Sequence, residues 1–81
     1  MKIEYFECFQ MLAKYRNFSE AAENLYMSQS SLSKKIMELE NRLGGQLFIR
    51  KKYEVVLSPF GEQMSNYINN IVENYNILCS A

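Results

Sequence analysis

The chain has 81 residues, of which 48% are apolar and 14% aromatic, enough for one folded domain but too few for a second core. Nine basic residues balance nine acidic ones, so the total charge gives no support for binding a polyanion. The charge is nevertheless unevenly distributed. Residues 30–53 carry six cationic side chains against two carboxylates, a net charge of +4, between two acidic ends. This asymmetry is typical of a nucleic-acid-binding face, although an ordinary solvated surface can also produce it.

The cysteine pattern and the N-terminus bear on the cellular compartment. Cys8 and Cys79 match no metal-binding or redox spacing, so we expect buried free thiols in a reducing cytosol rather than a disulfide. The acidic N-terminus is unlike a signal peptide. No apolar stretch approaches the roughly 20 residues that a membrane span needs. The sequence therefore predicts a cytoplasmic protein.

Residues 2–15 form an amphipathic pattern with apolar residues on one helical stripe, which predicts a first helix. Arg16-Asn17 should end it, because Asn tolerates the left-handed conformation that helix ends often need. A short second helix should follow, capped by Ser19 and made slim by Ala21 and Ala22. Phe18, just before this cap, is expected to pack into the core.

The third helix is predicted from Gln29 to Leu43, with Ser28 as its cap and Gly44-Gly45 as its end. Leu32, Ile36, Leu39 and Leu43 recur at the spacing of one helical face. Two helices joined by a three-residue turn, the first of them slim, indicate a helix-turn-helix.

The polar face of this third helix has the composition that a DNA major groove admits. Such a helix enters the groove by its N-terminal end, which limits the side chains within reach of the bases. The candidate base contacts are Gln29, Ser30, Ser31, Ser33 and Lys34. Lys35, the next cation, is a candidate contact to the DNA backbone.

After the glycines, Gln46–Arg50 and Glu54–Ser58 are predicted to be two short strands rich in strand-favouring residues. The intervening segment, Arg50–Glu54, lacks the Asn-Gly pair of a tight hairpin. Its three consecutive cations, Arg50, Lys51 and Lys52, would suit a phosphate backbone, so we interpret the hairpin as the wing of a winged helix-turn-helix. An ordinary charged surface turn is the alternative.

Ser58-Pro59 predicts the start of a last helix about 21 residues and roughly 30 Å long. Its apolar residues recur at steps of four and three, and an 81-residue globule is too small to cover them all. The beginning of the helix is expected to fold back on the core. Beyond Tyr67 we expect a partner helix from a second subunit. The predicted dimer-interface residues are Met64, Tyr67, Ile68, Ile71, Tyr75 and Leu78.

The chain resembles the N-terminal DNA-binding domain of LysR-type transcriptional regulators over nearly all of residues 1–61. The resemblance rests on a ladder of apolar residues near the N-terminus and four segments at fixed spacing. These are Phe18-Ser19-x-Ala21-Ala22-x-x-Leu25, then Ser28-Gln29-Ser30-Ser31-Leu32-Ser33-x-x-Ile36-x-x-Leu39-Glu40, then Leu43-Gly44-x-x-Leu47-Phe48-x-Arg50, and Val55-x-Leu57-Ser58-x-x-Gly61.

The resemblance implies a mainly α fold: a winged helix-turn-helix of three helices and a two-stranded β wing over residues 1–58, then a long dimerisation linker helix over residues 59–81. It also implies a C-terminal effector-binding domain that these 81 residues do not contain, and any small-molecule effector would act only through that domain. Carried over by position, Ser19 would meet a phosphate. The wing residues that would grip the backbone or minor groove are Arg50, Lys51, Lys52 and Tyr53.

The sequence departs from the family pattern at four positions. Ser30 stands where the family often has Pro, which should loosen the start of the third helix. Tyr53 stands where a second wing Arg is usual, which puts one contact in doubt. Arg16 occupies a position that is often Gly, and Phe60 one that is often Ala. We interpret both as packing variations.

The leading functional hypothesis is sequence-specific binding of double-stranded DNA as a homodimer on an interrupted inverted repeat. A helical dimeric protein-interaction module without DNA binding is the alternative, slightly favoured by the zero net charge. An enzyme is the weakest hypothesis, because the chain has no His, no phosphate-cradling Gly loop and no metal-ligand cluster. We therefore expect no catalytic residue, no metal and no cofactor.

Overall fold

The computed structural model describes residues 1–80; the last residue of the predicted linker range, Ala81, lies outside them. In chain order the described elements are α1 (Ile3–Tyr15), α2 (Phe18–Asn24), α3 (Gln29–Leu43), β1 (Phe48–Arg50), β2 (Val55–Leu57) and α4 (Pro59–Ser80). The strands form a two-stranded antiparallel sheet. The predicted mainly α, winged helix-turn-helix fold is confirmed.

The core lies between α1, α3, the hairpin and the first half of α4. Phe9 and Leu12 of α1 are buried against Leu32 and Leu39 of α3. The hairpin joins this core through Phe48, whose ring centroid lies 5.3 Å from that of Phe9. Burial of such side chains contributes roughly 1.5–3 kcal/mol each, so this apolar cluster holds α3 and the hairpin in one fixed arrangement.

The start of α2 differs from the prediction. The cap is Asn17, whose Oδ1 accepts a hydrogen bond of 2.9 Å from the Glu20 backbone N–H, and Ser19 is the second helical residue. The left-handed residue that ends α1 is Arg16, with φ 56°, whereas Asn17 is extended. Asn followed three residues later by Glu is a sequence signal for a helix start, and it outranks Ser19. Phe18 is half-buried against the core, as expected.

Both ends of α3 follow the prediction. Ser28 Oγ accepts a hydrogen bond of 3.1 Å from the Ser31 backbone N–H, and Gly44 ends the helix in the left-handed conformation. The turn before it begins one residue earlier than predicted, because α2 stops at Asn24. Within this turn Tyr26 has φ 55° and an exposed side chain. These caps fix the position of the first turn of α3.

The hairpin has shorter strands than predicted. Its register pairs Phe48 with Leu57 and Arg50 with Val55. Just before β1, backbone groups form hydrogen bonds with side chains. A Glu40 carboxylate oxygen accepts a hydrogen bond of 2.7 Å from the Leu47 N–H, and the Ser58 hydroxyl donates a hydrogen bond to the Gln46 carbonyl. The segment that leads into β1 is therefore bound both to α3 and to the residue that caps α4.

The start of α4 is packed closely against the segment that leads into β1. Ser58 Oγ accepts a hydrogen bond of 2.9 Å from the Gly61 N–H, so Ser58 caps the helix as predicted. A side chain at Gly61 would overlap the backbone carbonyl of Leu47. Gly61 is therefore required by a close approach of two backbone segments.

Candidate nucleic-acid interface

The first two turns of α3 present polar side chains on the face opposite the core. Gln29, Ser30 and Lys34 are exposed, whereas Leu32 and Ile36 are buried. Because the apolar residues hold the helix by one face, the polar side chains on the other are free to contact a ligand. The structure brings the predicted base-contact residues onto one surface.

The serines at this end of α3 are partly engaged with one another. The Ser28 hydroxyl donates to Ser31 Oγ at 2.9 Å, and the oxygens of Ser28 and Ser30 lie 3.2 Å apart. Ser30 was expected to loosen the start of the helix relative to Pro. These contacts offset that loss, because they link its hydroxyl to the helix cap.

Arg50, the last residue of β1, joins three elements. Its guanidinium carbon lies 4.3 Å from the centroid of the Phe18 ring, and Nη2 donates a hydrogen bond of 3.3 Å to Ser33 Oγ. Stacking on an aromatic face and a hydrogen bond both limit the motion of the guanidinium. The charge of Arg50 is therefore held beside the front of α3. No local sequence signal indicates these contacts, because the three residues are far apart in the chain.

The tip of the hairpin carries three exposed side chains, those of Lys51, Lys52 and Tyr53. The Lys51 N–H donates a hydrogen bond of 2.8 Å to the Glu54 carbonyl, which closes the tip. The Lys52 ammonium lies 5.3 Å from the centroid of the Tyr53 ring. Two cations and one aromatic ring thus project from a closed turn on the same hairpin as Arg50.

Lys35 does not belong to this surface, which corrects the prediction. Its Nζ donates a hydrogen bond of 3.2 Å to Glu4 Oε1 and lies 5.0 Å from the centroid of the Tyr5 ring. The Tyr5 hydroxyl in turn donates a hydrogen bond of 2.8 Å to Glu38 Oε2. Three residues of 100° each place Lys35 about 60° from Leu32 on the helix, towards α1. The helical angle was the signal that the sequence interpretation overlooked.

Two pKa shifts follow from this network. The hydrogen bond to Glu4 raises the pKa of Lys35, and the hydrogen bond to Glu38 raises the pKa of Tyr5. Both groups therefore keep their protons at neutral pH, with the cation paired and the phenol neutral. Lys35 therefore connects α3 to α1 through Glu4 and Tyr5.

The predicted dimer face of α4 is divided by the structure. Ile68, only 2% exposed, lies in the chain's own core, and Met64 packs partly against that core, so neither side chain belongs to the free face. The α1 helix covers this part of α4, with Gln10 donating to Asn69 at 2.8 Å. The remaining predicted residues are exposed and share one side of the helix: Tyr67, Ile71, Tyr75 and Leu78.

Neither cysteine is in a disulfide, as predicted, but only Cys8 is buried, so the expectation that both thiols are buried was wrong for Cys79. Burial raises the pKa of the Cys8 thiol to about 11. Among residues 1–80 no group of three or more His, Cys, Asp or Glu is placed to hold a metal ion. No helix in the same range is long and apolar enough to cross a membrane.

Known proteins similar to this chain point to one family. The family model described as "Bacterial regulatory helix-turn-helix protein, lysR family" matches residues 3–62. The HTH-type transcriptional regulator HdfR of Yersinia enterocolitica is 35% identical over 77 residues, which cover 95% of this chain and 26% of that protein. The chain thus spans about a quarter of the length of the curated relatives that it matches.

Two of the similar solved structures are complexes with DNA. Vibrio fischeri DarR in complex with DNA has a TM-score of 0.93 and 31% identity, covering 99% of this chain and 27% of that one. The BenM DBD in complex with benA site 1 DNA has a TM-score of 0.90 and 29% identity, covering 99% and 90%. The relatives are named as transcriptional regulators, a class of DNA-binding proteins and not of enzymes. This chain belongs to the LysR family of bacterial regulatory helix-turn-helix proteins.

Proposed function

We propose that this chain binds double-stranded DNA sequence-selectively, with α3 in the major groove and the hairpin on the backbone or in the minor groove. The observation that carries the proposal is the exposed polar front of α3 beside the fixed guanidinium of Arg50. A groove-reading helix needs hydrogen-bonding groups that the core does not use. The DNA complexes of DarR and of the BenM DBD support it by similarity.

The proposed roles follow the chemistry of each side chain. Gln29 can form paired hydrogen bonds with adenine, Lys34 suits guanine or phosphate, and the serines are less selective. We assign base contacts to Gln29, Ser30, Ser31, Ser33 and Lys34. We assign backbone or minor-groove contacts to Ser19, Arg50, Lys51, Lys52 and Tyr53. Lys35 is left out because its side chain lies against α1, hydrogen-bonded to Glu4 and beside the Tyr5 ring.

We further propose a homodimer formed through the exposed face of α4. An isolated chain would leave Tyr67, Ile71, Tyr75 and Leu78 in water, and a second copy would cover them. Two α3 helices would then read half-sites about 34 Å apart on an interrupted inverted repeat. Residues 1–58 would form the DNA-reading domain and residues 59–81 the linker, with the first half of α4 also completing the core.

The function of the whole regulator is part of the same proposal. Because the chain spans about a quarter of its relatives, we infer that it is the DNA-binding part of a cytoplasmic transcriptional regulator. An effector would act through a separate C-terminal domain. No cofactor takes part in DNA binding by this mechanism.

Fluorescence anisotropy with a random-sequence duplex at low salt tests DNA binding. The expected result is an affinity whose logarithm falls linearly with log salt, by about 0.9 for each phosphate neutralised. Selection from a random DNA pool should then return two inverted half-sites about one helical turn apart. An absence of salt-dependent binding at micromolar protein would contradict the proposal and leave the helical protein-interaction module.

A further inference from the structure

The turn between α1 and α2 and the hairpin together line an open cleft rich in positive charge. Four cationic side chains, those of Arg16, Arg50, Lys51 and Lys52, line it against a single carboxylate, that of Glu54. The cleft shares Phe18 and Arg50 with a second depression lined by Gln29, Ser30 and Ser33 at the front of α3. Positive potential therefore continues from the groove-reading surface to the α1–α2 turn.

Arg16 is the cation of this cleft to which neither the sequence pattern nor the family resemblance assigned a DNA contact. Its backbone has φ 56°, a conformation that L residues other than Asn and Asp rarely adopt and that Gly adopts freely. Its side chain is 64% exposed, so it does not serve the packing role that the sequence suggested. A costly backbone conformation at an exposed arginine invites a functional explanation.

The contacts of Arg16 aim it at the hairpin. Its carbonyl accepts a hydrogen bond of 2.9 Å from the Val55 N–H, which ties the turn to β2. Its guanidinium lies 3.6 Å from Glu54 Oε1, and Glu54 is also exposed. Such a surface pair is weak, so a phosphate can displace the carboxylate. A guanidinium can also donate two parallel hydrogen bonds to two oxygens of one phosphate.

We propose that Arg16 is an additional DNA-backbone contact, held by Glu54 until a phosphate replaces that carboxylate. The proposal rests on the proposed DNA binding and extends its footprint beyond α3 and the hairpin tip. A DNA strand that passes Arg50 would continue along the cleft to Arg16. The occupant is a DNA phosphate, since the cleft is continuous with the surface assigned to DNA.

Arg16→Gly tests this in the 81-residue protein with a random-sequence duplex. Glycine suits the left-handed backbone, and the hydrogen bond from Val55 to the carbonyl is retained. The expected results are an affinity about five- to tenfold lower near 0.1 M salt and a salt slope smaller by about 0.9. Glu54→Gln should raise the affinity, and raise it less when Arg16 is already Gly. Arg42→Ala, which removes a cation from the far end of α3, controls for net charge.

An unchanged salt slope in Arg16→Gly overturns the proposal, whatever happens to its melting temperature, because a merely structural role does not alter the number of neutralised phosphates. A slope reduced equally by Arg42→Ala overturns it as well. The assay includes the unaltered chain and the pair Lys51→Ala with Lys52→Ala. Failure of the unaltered chain to bind refutes DNA binding itself. Binding that responds to the lysines but not to Arg16 refutes only the role of Arg16.

Discussion

The front of α3 and the second half of α4 differ in how far contacts within the chain hold them in place. Around the front of α3, Ser28 caps the helix, Arg50 is fixed to Phe18 and Ser33, and Leu32 anchors the turn in the core. In α4 the last buried residue is Val72, and every residue from 73 to 80 is exposed. There Ile77 and Leu78 are 59% and 74% exposed.

This difference distinguishes a surface that a single chain can position from a helix end that we expect a second chain to cover. The reading surface is positioned by contacts within a single chain, so it should keep its shape in a monomer. The end of α4 exposes apolar side chains over two helical turns, so we expect its stability to depend on a partner. Affinity should therefore depend on both regions, whereas the choice of base sequence should depend on the first alone.

The largest effect is expected from Gly61→Ala, which disturbs the packing of α4 against the segment that leads into β1. The new methyl group would overlap the Leu47 carbonyl, and backbone cannot move aside as a side chain can. The free energy of unfolding should fall by about 3 kcal/mol or more, as measured by urea denaturation. Gly45→Ala is the matched control, since its methyl group meets only the movable ring of Phe60 and should cost less. Equal losses in the two variants would contradict this packing account.

Next in size is the loss of the dimer in the double variant Ile71→Asp with Tyr75→Asp. Two carboxylates on the exposed face of α4 should prevent a second helix from packing there, because burying them unpaired is costly. Sedimentation should show a monomer, and the affinity for a two-half-site operator should fall about 100-fold or more. Circular dichroism should show that the DNA-reading domain, residues 1–58, stays folded. Asn70→Asp, also exposed on α4, should leave the dimer intact; a dimer in the double variant would contradict the assignment.

The hairpin tip should contribute affinity without choosing sequence. Replacing Lys51 and Lys52 together by Ala should reduce the salt slope by about 1.8, if each neutralises one phosphate. Binding to operator and to random duplex should weaken by the same factor, as measured by anisotropy at several salt concentrations. A change in operator preference would indicate that the tip reads bases.

The smallest effect is expected from Lys35→Met, which distinguishes a fastening residue from a DNA contact. Since Lys35 pairs with Glu4 on α1, its loss should leave the salt slope unchanged and alter DNA affinity by less than about twofold. Its contribution should appear instead as a small loss of thermal stability. A slope lower by about 0.9 would return Lys35 to the DNA-contacting set.

The sequence was most informative where the signal was local. Gly44 ended α3 and Ser58-Pro59 started α4 as predicted, because capping depends on residues within one turn. Where two local signals compete, Asn17 caps α2 in place of the predicted Ser19, and Glu20 three residues after Asn17 is the signal that identifies this cap.

The predictions were wrong where contacts with an element distant in the sequence determine the environment of a side chain. A repeat along α4 identifies an apolar face but does not say which members α1 will cover, so Ile68 was assigned to a partner. Likewise a basic residue in α3 gives no sign of a carboxylate 31 positions away, and Lys35 was assigned to DNA. The contacts of Arg50 and Arg16 were out of reach for the same reason, since each joins segments distant in the chain.

Base reading by the front of α3 is tested by the operator preference of the variant Gln29→Ala. The measurement is the ratio of affinities for the selected operator and for random duplex, at one salt concentration. We expect the ratio to fall roughly five- to 150-fold per half-site, which corresponds to about 1–3 kcal/mol, with little change in random-duplex binding. Gln63→Ala, exposed on α4, should leave the ratio unchanged. An undiminished ratio in Gln29→Ala would contradict base reading by this residue.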